Sequence, residues 1–264
     1  MRVLRKSTPA ASMCVTALLT TLISACATTP RTEVYATENI GECVVVLHGA
    51  NRSWRAMRPM AEAIQAGGYT TVNVDYPSRA GTVDELVPLA VDLGLEKCRA
   101  TGADRIHFVT HSLGGILLRY AHEQEPIKDL GRVVMLAPPN TGSEIVDKTR
   151  DIPGSSMLAG EALMQLGTNA DSVPAQLGPV TFELGVIAGT GTMNPLLSSM
   201  LPDPDDGKVS VARTRIDGMT DFLVVEDNHH YILTDDIVIR NTLLFLRTGA
   251  FAADDKATMT EATY

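Results

Sequence analysis

Ser112 stands in the stretch Phe108-Val-Thr-His-Ser-Leu-Gly-Gly-Ile-Leu-Leu-Arg-Tyr120, between an apolar run and two glycines that lead into a second apolar run. A buried strand gains nothing from the polar pair His111-Ser112, and a surface loop would not be boxed in so tightly. A serine hydroxyl is a weak nucleophile until a base takes its proton, and the base needs an acid to orient it. Downstream of Ser112 the histidines are His122, His229 and His230, and the stretch "LPDPDDGKVSV" (Leu201 to Val211) supplies Asp203, Asp205 and Asp206. Together these residue types can carry out acyl transfer through a covalent serine ester. No His/Cys spacing fits a zinc site, and the aspartate cluster fits no recognised calcium loop. The chemistry calls for neither a metal nor an organic cofactor.

The elements that must hold these groups are legible in the hydrophobic pattern. Cys43 to Leu47 is a short apolar run, the signature of a strand buried on both faces, and it ends in His48-Gly49. Ser53 is placed to N-cap a helix with Trp54, Met57, Met60, Ala61 and Ile64 on one face, which Gly67-Gly68 stop. Residues 70–76 predict a second strand, ended by Pro77. Thr82-Val-Asp-Glu85 matches a capping box and opens a helix that runs to Cys98, with a kink expected at Pro88. Residues 105–110 and 132–137 predict two more strands, with a helix over 116–123 between them. Residues 182–188 and 222–225 predict later strands, and 237–247 a closing amphipathic helix. Strands alternating with helices in this way predict a mostly parallel sheet covered on both faces. Function in such sheets gathers beyond the carboxyl ends of the strands, where His48-Gly49, Tyr76-Pro77 and His111-Ser112 all fall.

Strand, serine, glycine, helix is the layout of a nucleophile elbow. Its sharp turn strains the serine backbone, exposes the hydroxyl, and aims the N–H groups of the following helix at incoming negative charge. The residues two before and two after the serine, Thr110 and Gly114, must be small, because strand and helix nearly touch there. "THSLGG", with "VLHG" (Val46 to Gly49) closing an earlier strand, resembles the α/β-hydrolase superfamily, above all bacterial lipases and esterases and the inositol-deacylase-like serine hydrolases. The likeness covers roughly residues 42–248, and Thr110 departs from the usual Gly-x-Ser-x-Gly.

The resemblance implies an α/β-hydrolase fold with a short cap or lid at about residues 140–180, whose apolar side is Met157, Leu158, Leu163, Met164, Leu166 and Val173. It implies the chain order nucleophile, acid, base, with Ser112 as nucleophile. "NHHYIL" then selects His229 as base, with His230 as the alternate. Asp206-Gly207-Lys208-Val209 selects Asp206 as acid, with Asp205 as the alternate. The oxyanion hole falls to the backbone N–H groups of Leu113 and Ala50. His48 is expected to brace the loop beneath that hole, Trp54 to sit in helix core, and His122 to lie on the surface away from the site. In this fold the end of the helix bearing Cys98 lies near the start of the Cys43 strand, which implies a Cys43–Cys98 disulfide. The implied activity is serine carboxylic-ester hydrolysis on acyl or lipid esters. An acyltransferase or thioesterase on the same triad, and a non-catalytic envelope binding protein, are the alternatives.

The start of the chain reads as an export signal. Arg2, Arg5 and Lys6 precede an uncharged stretch over 9–25, and Leu22-Ile-Ser-Ala-Cys26 resembles a bacterial lipobox. That implies cleavage before Cys26 and its acylation, and Ala27 after it implies the outer membrane, on the periplasmic face. The chain then divides into a signal (1–25), a linker to the lipid anchor (26–38), the hydrolase domain (39–250) and a flexible C-terminal tail (251–264). Losing the signal shifts the formal net charge from −9 to −12. An acidic chain without a basic patch is not a nucleic-acid binder. The expected partners are an acyl-ester or lipid substrate and the membrane; the sequence is silent on oligomeric state. Export also permits the disulfide.

Overall fold

The computed structural model describes residues 29–38 and 41–255. Six strands run parallel: β2 (Glu42–Leu47), β3 (Thr70–Asp75), β4 (Arg105–His111), β5 (Leu130–Leu136), β6 (Leu184–Gly189) and β7 (Asp221–Val225). β1 (Arg31–Tyr35) adds to β3 antiparallel, giving the order β1-β3-β2-β4-β5-β6-β7. Helix α1 (Trp54–Ala66) follows β2, while α2 (Val83–Val87) and α3 (Leu93–Ala100) follow β3. α4 (Leu113–Gln124) follows β4. The β5–β6 connection holds four short helices, α5 (Glu144–Thr149), α6 (Ser155–Ala159), α7 (Glu161–Met164) and α8 (Val173–Gln176). α9 (Pro195–Ser198) and α10 (Val211–Thr214) lie between β6 and β7, and α11 (Asp236–Thr248) follows β7.

Successive side chains of a strand point to opposite faces, and β2 shows why its sequence is apolar throughout. Val44 and Val46 pack with Met57, Met60 and Ile64 of α1 and Phe245 of α11. Cys43, Val45 and Leu47 pack on the other side with Leu86, Leu95 and Ile116 from α2, α3 and α4. Cys43 and Cys98 form a disulfide with Cα atoms 5.6 Å apart across 55 residues. Closing a loop that long stabilises the fold by about 4 kcal/mol in a chain-entropy account.

Several sequence expectations change here. Residues 31–35 are not linker but strand β1, whose mixed polarity gives no apolar run; Arg31 pairs with Asp75 at 3.2 Å. The tail is docked as far as Asp255: Phe251 packs against Phe245 with ring centroids 5.0 Å apart, and Asp255 accepts from Arg240 and Asn241, each at 2.7 Å. Pro88 does more than kink its helix. It opens a π-helical turn, Pro88–Asp92, because it lacks an N–H and its ring crowds the carbonyl one turn earlier. Ser53 occupies the N-cap of α1 without capping it; the Asp75 carboxylate accepts the Trp54 N–H instead, at 3.1 Å. Trp54 is half-buried between the Arg31 and Arg55 guanidinium groups and not in the core. The signal, Cys26 and most of the tail lie outside the described residues.

The 140–180 connection is tied down from beneath. Arg119, on the helix that follows Ser112, is only 3% exposed. Its guanidinium donates to the Asn140 carbonyl at 2.7 Å and to those of Gly178 and Leu177 at 3.1 and 3.4 Å, so one side chain holds both ends of the segment. Burial pushes its pKa down to about 10. Replacing Arg119 with Met leaves these carbonyls without a donor and should lower stability by roughly 3 kcal/mol. Chemical denaturation checks this; an unchanged midpoint would show that the anchor carries no weight.

Candidate active site

β4 ends at His111 and α4 begins at Leu113, so Ser112 makes the whole turn. Its backbone sits at φ 50°, ψ −119°, a conformation that non-glycine residues rarely adopt. Two main-chain bonds hold it: Ser112 N–H to the Leu136 carbonyl at 2.9 Å, and Gly115 N–H to the Ser112 carbonyl at 3.0 Å. The two glycines that follow serve different neighbours. A Cβ on Gly114 would lie 2.9 Å from the His48 carbonyl oxygen, so its absence lets α4 rest on the end of β2. A Cβ on Gly115 would lie 3.2 Å from Thr110 Oγ1 and 3.1 Å from Met135 Sδ. Gly115 therefore makes the room that Thr110 fills, and the departure from the usual glycine at position 110 is absorbed one turn later.

The acid and base meet across a short loop. His229 Nδ1 lies 2.7 Å from Asp206 Oδ2. The other carboxylate oxygen of Asp206 accepts the N–H groups of Lys208 at 2.9 Å and Val209 at 2.8 Å, and the Asp206 carbonyl accepts the His229 N–H at 3.0 Å. Gly207 makes the tight turn at φ +87°. The Asp206 carboxylate is thus fixed in place and buried with one oxygen toward Nδ1, which leaves Nε2 of His229 as the ring nitrogen not engaged by it. Asp205 is spent elsewhere, on Ser198 Oγ and the Gly207 N–H at 2.6 and 2.7 Å. His230 turns outward to Arg52. Of the sequence candidates, then, Asp206 and His229 are bonded to each other, Ser112 lines one cleft with His229 and His230, and Asp205 is engaged elsewhere.

His111 links the elbow to the base loop. Its Nε2 lies 3.1 Å from the His229 carbonyl. A carbonyl only accepts, so Nε2 carries the hydrogen and the neutral ring leaves Nδ1 bare; that atom is buried without a partner among the described residues. Burial first, and then the nearby His229, holds the His111 pKa well below its ordinary value. The ring fits because Gly49 has no side chain: a Cβ there would be 2.7 Å from His111 Nδ1. His48 braces the same loop. It stacks on Tyr76 at 4.2 Å, donates from Nδ1 to the Gly49 carbonyl at 2.9 Å, and its own carbonyl accepts the Tyr76 hydroxyl at 2.6 Å. Ala50 follows at the wall of the cleft. Its N–H meets no acceptor among the described residues. As the first residue of α4, Leu113 likewise has no carbonyl a turn before it to accept its N–H.

These groups face a cleft of about 380 Å³. Ala50, Ser112 and His229 line it, with Val146, Leu163 and Leu166 of the 140–180 connection opposite. Ser143 is there too, its hydroxyl donating to the Lys208 carbonyl at 3.0 Å. His122 is half-buried on α4, its Nδ1 accepting the Ile127 N–H at 3.2 Å. Sequence reasoning passed over two cations at this mouth, Arg52 and Lys208. Arg52 lies two residues after Ala50 and Lys208 two after Asp206, and that proximity was the available signal. No group of three or more His, Cys, Asp or Glu among the described residues is placed to hold a metal.

A model described as the alpha/beta hydrolase family matches residues 44–254. Among solved structures, the mature Bacillus licheniformis lipase BlEst2 is similar at TM-score 0.67 and 17% identity, covering 82% of this chain and 98% of that one. The metagenome-derived lipolytic enzymes LipS and LipT are represented at TM-score 0.58 and 16% identity, covering 84% and 98%. Phospholipase PlaB from Legionella pneumophila is similar at TM-score 0.56 and 15% identity, covering 84% of this chain and 62% of that one. No curated protein sequence gives a significant match.

Two stability measurements follow from this packing. Thr110 Oγ1 is buried without a partner among the described residues, so the isosteric Thr110→Val should raise stability by about 1 kcal/mol; a loss of that size would mean the hydroxyl has a partner. His48 and His111 are both held below their ordinary pKa by burial. As pH falls below about 6.5 the unfolded chain takes up protons that these folded histidines refuse, so their contribution is complete above that pH and declines beneath it. Each adds a slope of up to about 1.4 kcal/mol per pH unit. Urea melts on wild type and His111→Gln should differ by one histidine's slope; parallel curves would show that His111 is not held neutral.

Proposed function

Since the chain belongs to the alpha/beta hydrolase family, we propose that it is a serine carboxylic-ester hydrolase acting through an acyl-enzyme on acyl or lipid esters. The observation that carries this reading is the 2.7 Å Asp206–His229 bond in the cleft that Ser112 lines from its strained turn. In the proposed reaction Ser112 Oγ attacks the ester carbonyl while His229 Nε2 takes its proton. The carbonyl oxygen becomes an oxyanion held by the N–H groups of Leu113 and Ala50, each worth on the order of 3 kcal/mol in such sites. The tetrahedral centre collapses, the ester C–O bond breaks, and His229 gives its proton to the leaving alcohol. Water, deprotonated by His229, then attacks the acyl-serine, and acid product and free Ser112 are released. Asp206 stays ionised throughout, holding the ring in the Nδ1–H tautomer and stabilising the imidazolium.

A lipidic substrate is supported by where apolar surface is left open. Eight large hydrophobic side chains are exposed among the described residues, and six of them lie on the segments that follow β5, β6 and β7: Ile152, Met157, Leu158, Met193, Leu196 and Tyr231. Contiguous exposed apolar surface marks contact with apolar matter, and Met157, at the wall of the cavity beside the cleft, supplies some of it. The names of the lipase and phospholipase structures point the same way. No helix among the described residues is long and apolar enough to cross a membrane. Acylation of Cys26, with residence at the bacterial outer membrane, is the means of membrane attachment that we propose.

The test is labelling with a fluorophosphonate probe and mapping of the modified peptide. Wild type should label at Ser112, Ser112→Ala should not label, and Asp206→Ala should label at least about 100-fold more slowly. Folded wild type that stays unlabelled would remove the hydrolase reading and bring a binding protein forward.

A further inference from the structure

A second cavity of about 660 Å³ opens beside the catalytic cleft, and Asn51 and Arg52 line both. Its walls present two guanidinium groups, Arg52 from the loop after β2 and Arg79 from the loop after β3. Neither meets a carboxylate among the described residues. Arg52 donates to the ring of His230, and Arg79 donates to the Met157 carbonyl at 3.0 Å, which leaves most of each five-donor fork open. The one acidic side chain in the wall, Asp75, is engaged by Arg31 at 3.2 Å and by the Trp54 N–H at 3.1 Å. Ser78 Oγ accepts the Asn51 N–H at 3.1 Å, so its own O–H is left to donate. Lys208 lines the adjoining catalytic cleft. Burial first, and then the charges of Arg52, His229 and Lys208, push the His230 pKa down to about 4. Three cations without a carboxylate partner among the described residues, Arg52, Arg79 and Lys208, thus lie around this mouth, next to a cleft lined by Val146, Leu163 and Leu166.

We propose that the substrate is an acylglycerol whose alcohol part carries a phosphate, with the acyl chain in the catalytic cleft and the phosphate between Arg52 and Arg79; the proposal rests on the ester-hydrolase reading above. Guanidinium forks match phosphate oxygens in pairs, and two forks from separate loops approach a tetrahedral anion from two directions. A neutral glyceride would leave both guanidinium groups unmatched beside it. The phosphate sits on the leaving-alcohol side of the scissile bond, so it departs with the product and the two arginines take no part in the proton transfers.

The experiment measures binding to Ser112→Ala protein, so it needs no turnover. Calorimetry at low salt compares 1-octanoylglycerol 3-phosphate, 1-octanoylglycerol, glycerol 3-phosphate and inorganic phosphate. The acylated phosphate should bind at least about tenfold more tightly than the neutral ester, with the margin shrinking as salt screens the exposed charges. Arg52→Gln with Arg79→Gln should erase the margin and leave the neutral ester's affinity within about twofold. Arg52→Gln alone, which keeps the Arg79 bond to Met157, should erase part of it. Equal binding of the two esters, or binding of neither, overturns the proposal. So does glycerol 3-phosphate or inorganic phosphate binding as tightly as the acylated ligand, which would make free phosphate the ligand. Failure of fluorophosphonate labelling in wild type would sink the hydrolase reading, an outcome separate from any of these.

Discussion

Everything at the top of this sheet depends on one backbone conformation, the positive φ of Ser112. A residue so placed is held only when its surroundings over-determine it, and here three elements do so. β5 receives the Ser112 N–H, β2 comes close enough that Gly114 cannot carry a side chain, and Gly115 leaves space for Thr110. The strain is therefore distributed over contacts that also close the core. What results is a hydroxyl at the floor of a cleft, with the N-terminus of α4 behind it.

The same economy runs through the partners of Ser112. His111 is buried, which disfavours its charged form, and its Nε2–H holds the carbonyl of His229. The base is thus located from the elbow as well as from Asp206. Gly189, at the end of β6, makes the matching allowance on the acid side, since a Cβ there would lie 2.3 Å from the Asp227 carbonyl oxygen and 3.1 Å from Asp206 Cβ. The acid loop and the base loop can approach only over a strand that ends without a side chain. Main-chain groups, not long side chains, set the geometry at each step, which is why the Asp206 carboxylate accepts two backbone N–H groups before it meets His229.

The parts of this arrangement that could be read from the chain are those written in local pattern. The apolar run of β2, the Thr-His-Ser-Leu-Gly-Gly turn and the Thr82–Glu85 capping box each occupy a few consecutive residues. Choosing Asp206 over Asp205 and His229 over His230 needed the resemblance to a family as well, since neighbouring residues of one type differ only in which way the loop turns them. What stayed hidden depends on partners far along the chain. β1 exists because β3 offers an open edge, and Phe251 is buried because Phe245 and Gly185 leave a space for it. Arg119 looked like any helix arginine, yet it holds carbonyls at both ends of a segment of some forty residues. Arg52 and Arg79 come from separate loops, and only the crossover from β2 to β3 brings them to one cavity.

That cavity also bears on how the start of the chain would sit relative to the site. Thr29, two residues before β1, is part of its wall. The described chain therefore begins on the side of the molecule that also exposes Met157. An acidic protein is repelled by an anionic membrane over most of its surface. Arg52 and Arg79 line the cavity whose wall includes Thr29, so they are the cations placed to meet lipid phosphates there. β1 then has a mechanical part as well as a structural one. Its Arg31–Asp75 pair fixes the start of the described chain against the cavity wall and, in doing so, neutralises the one carboxylate that would otherwise repel an anionic substrate.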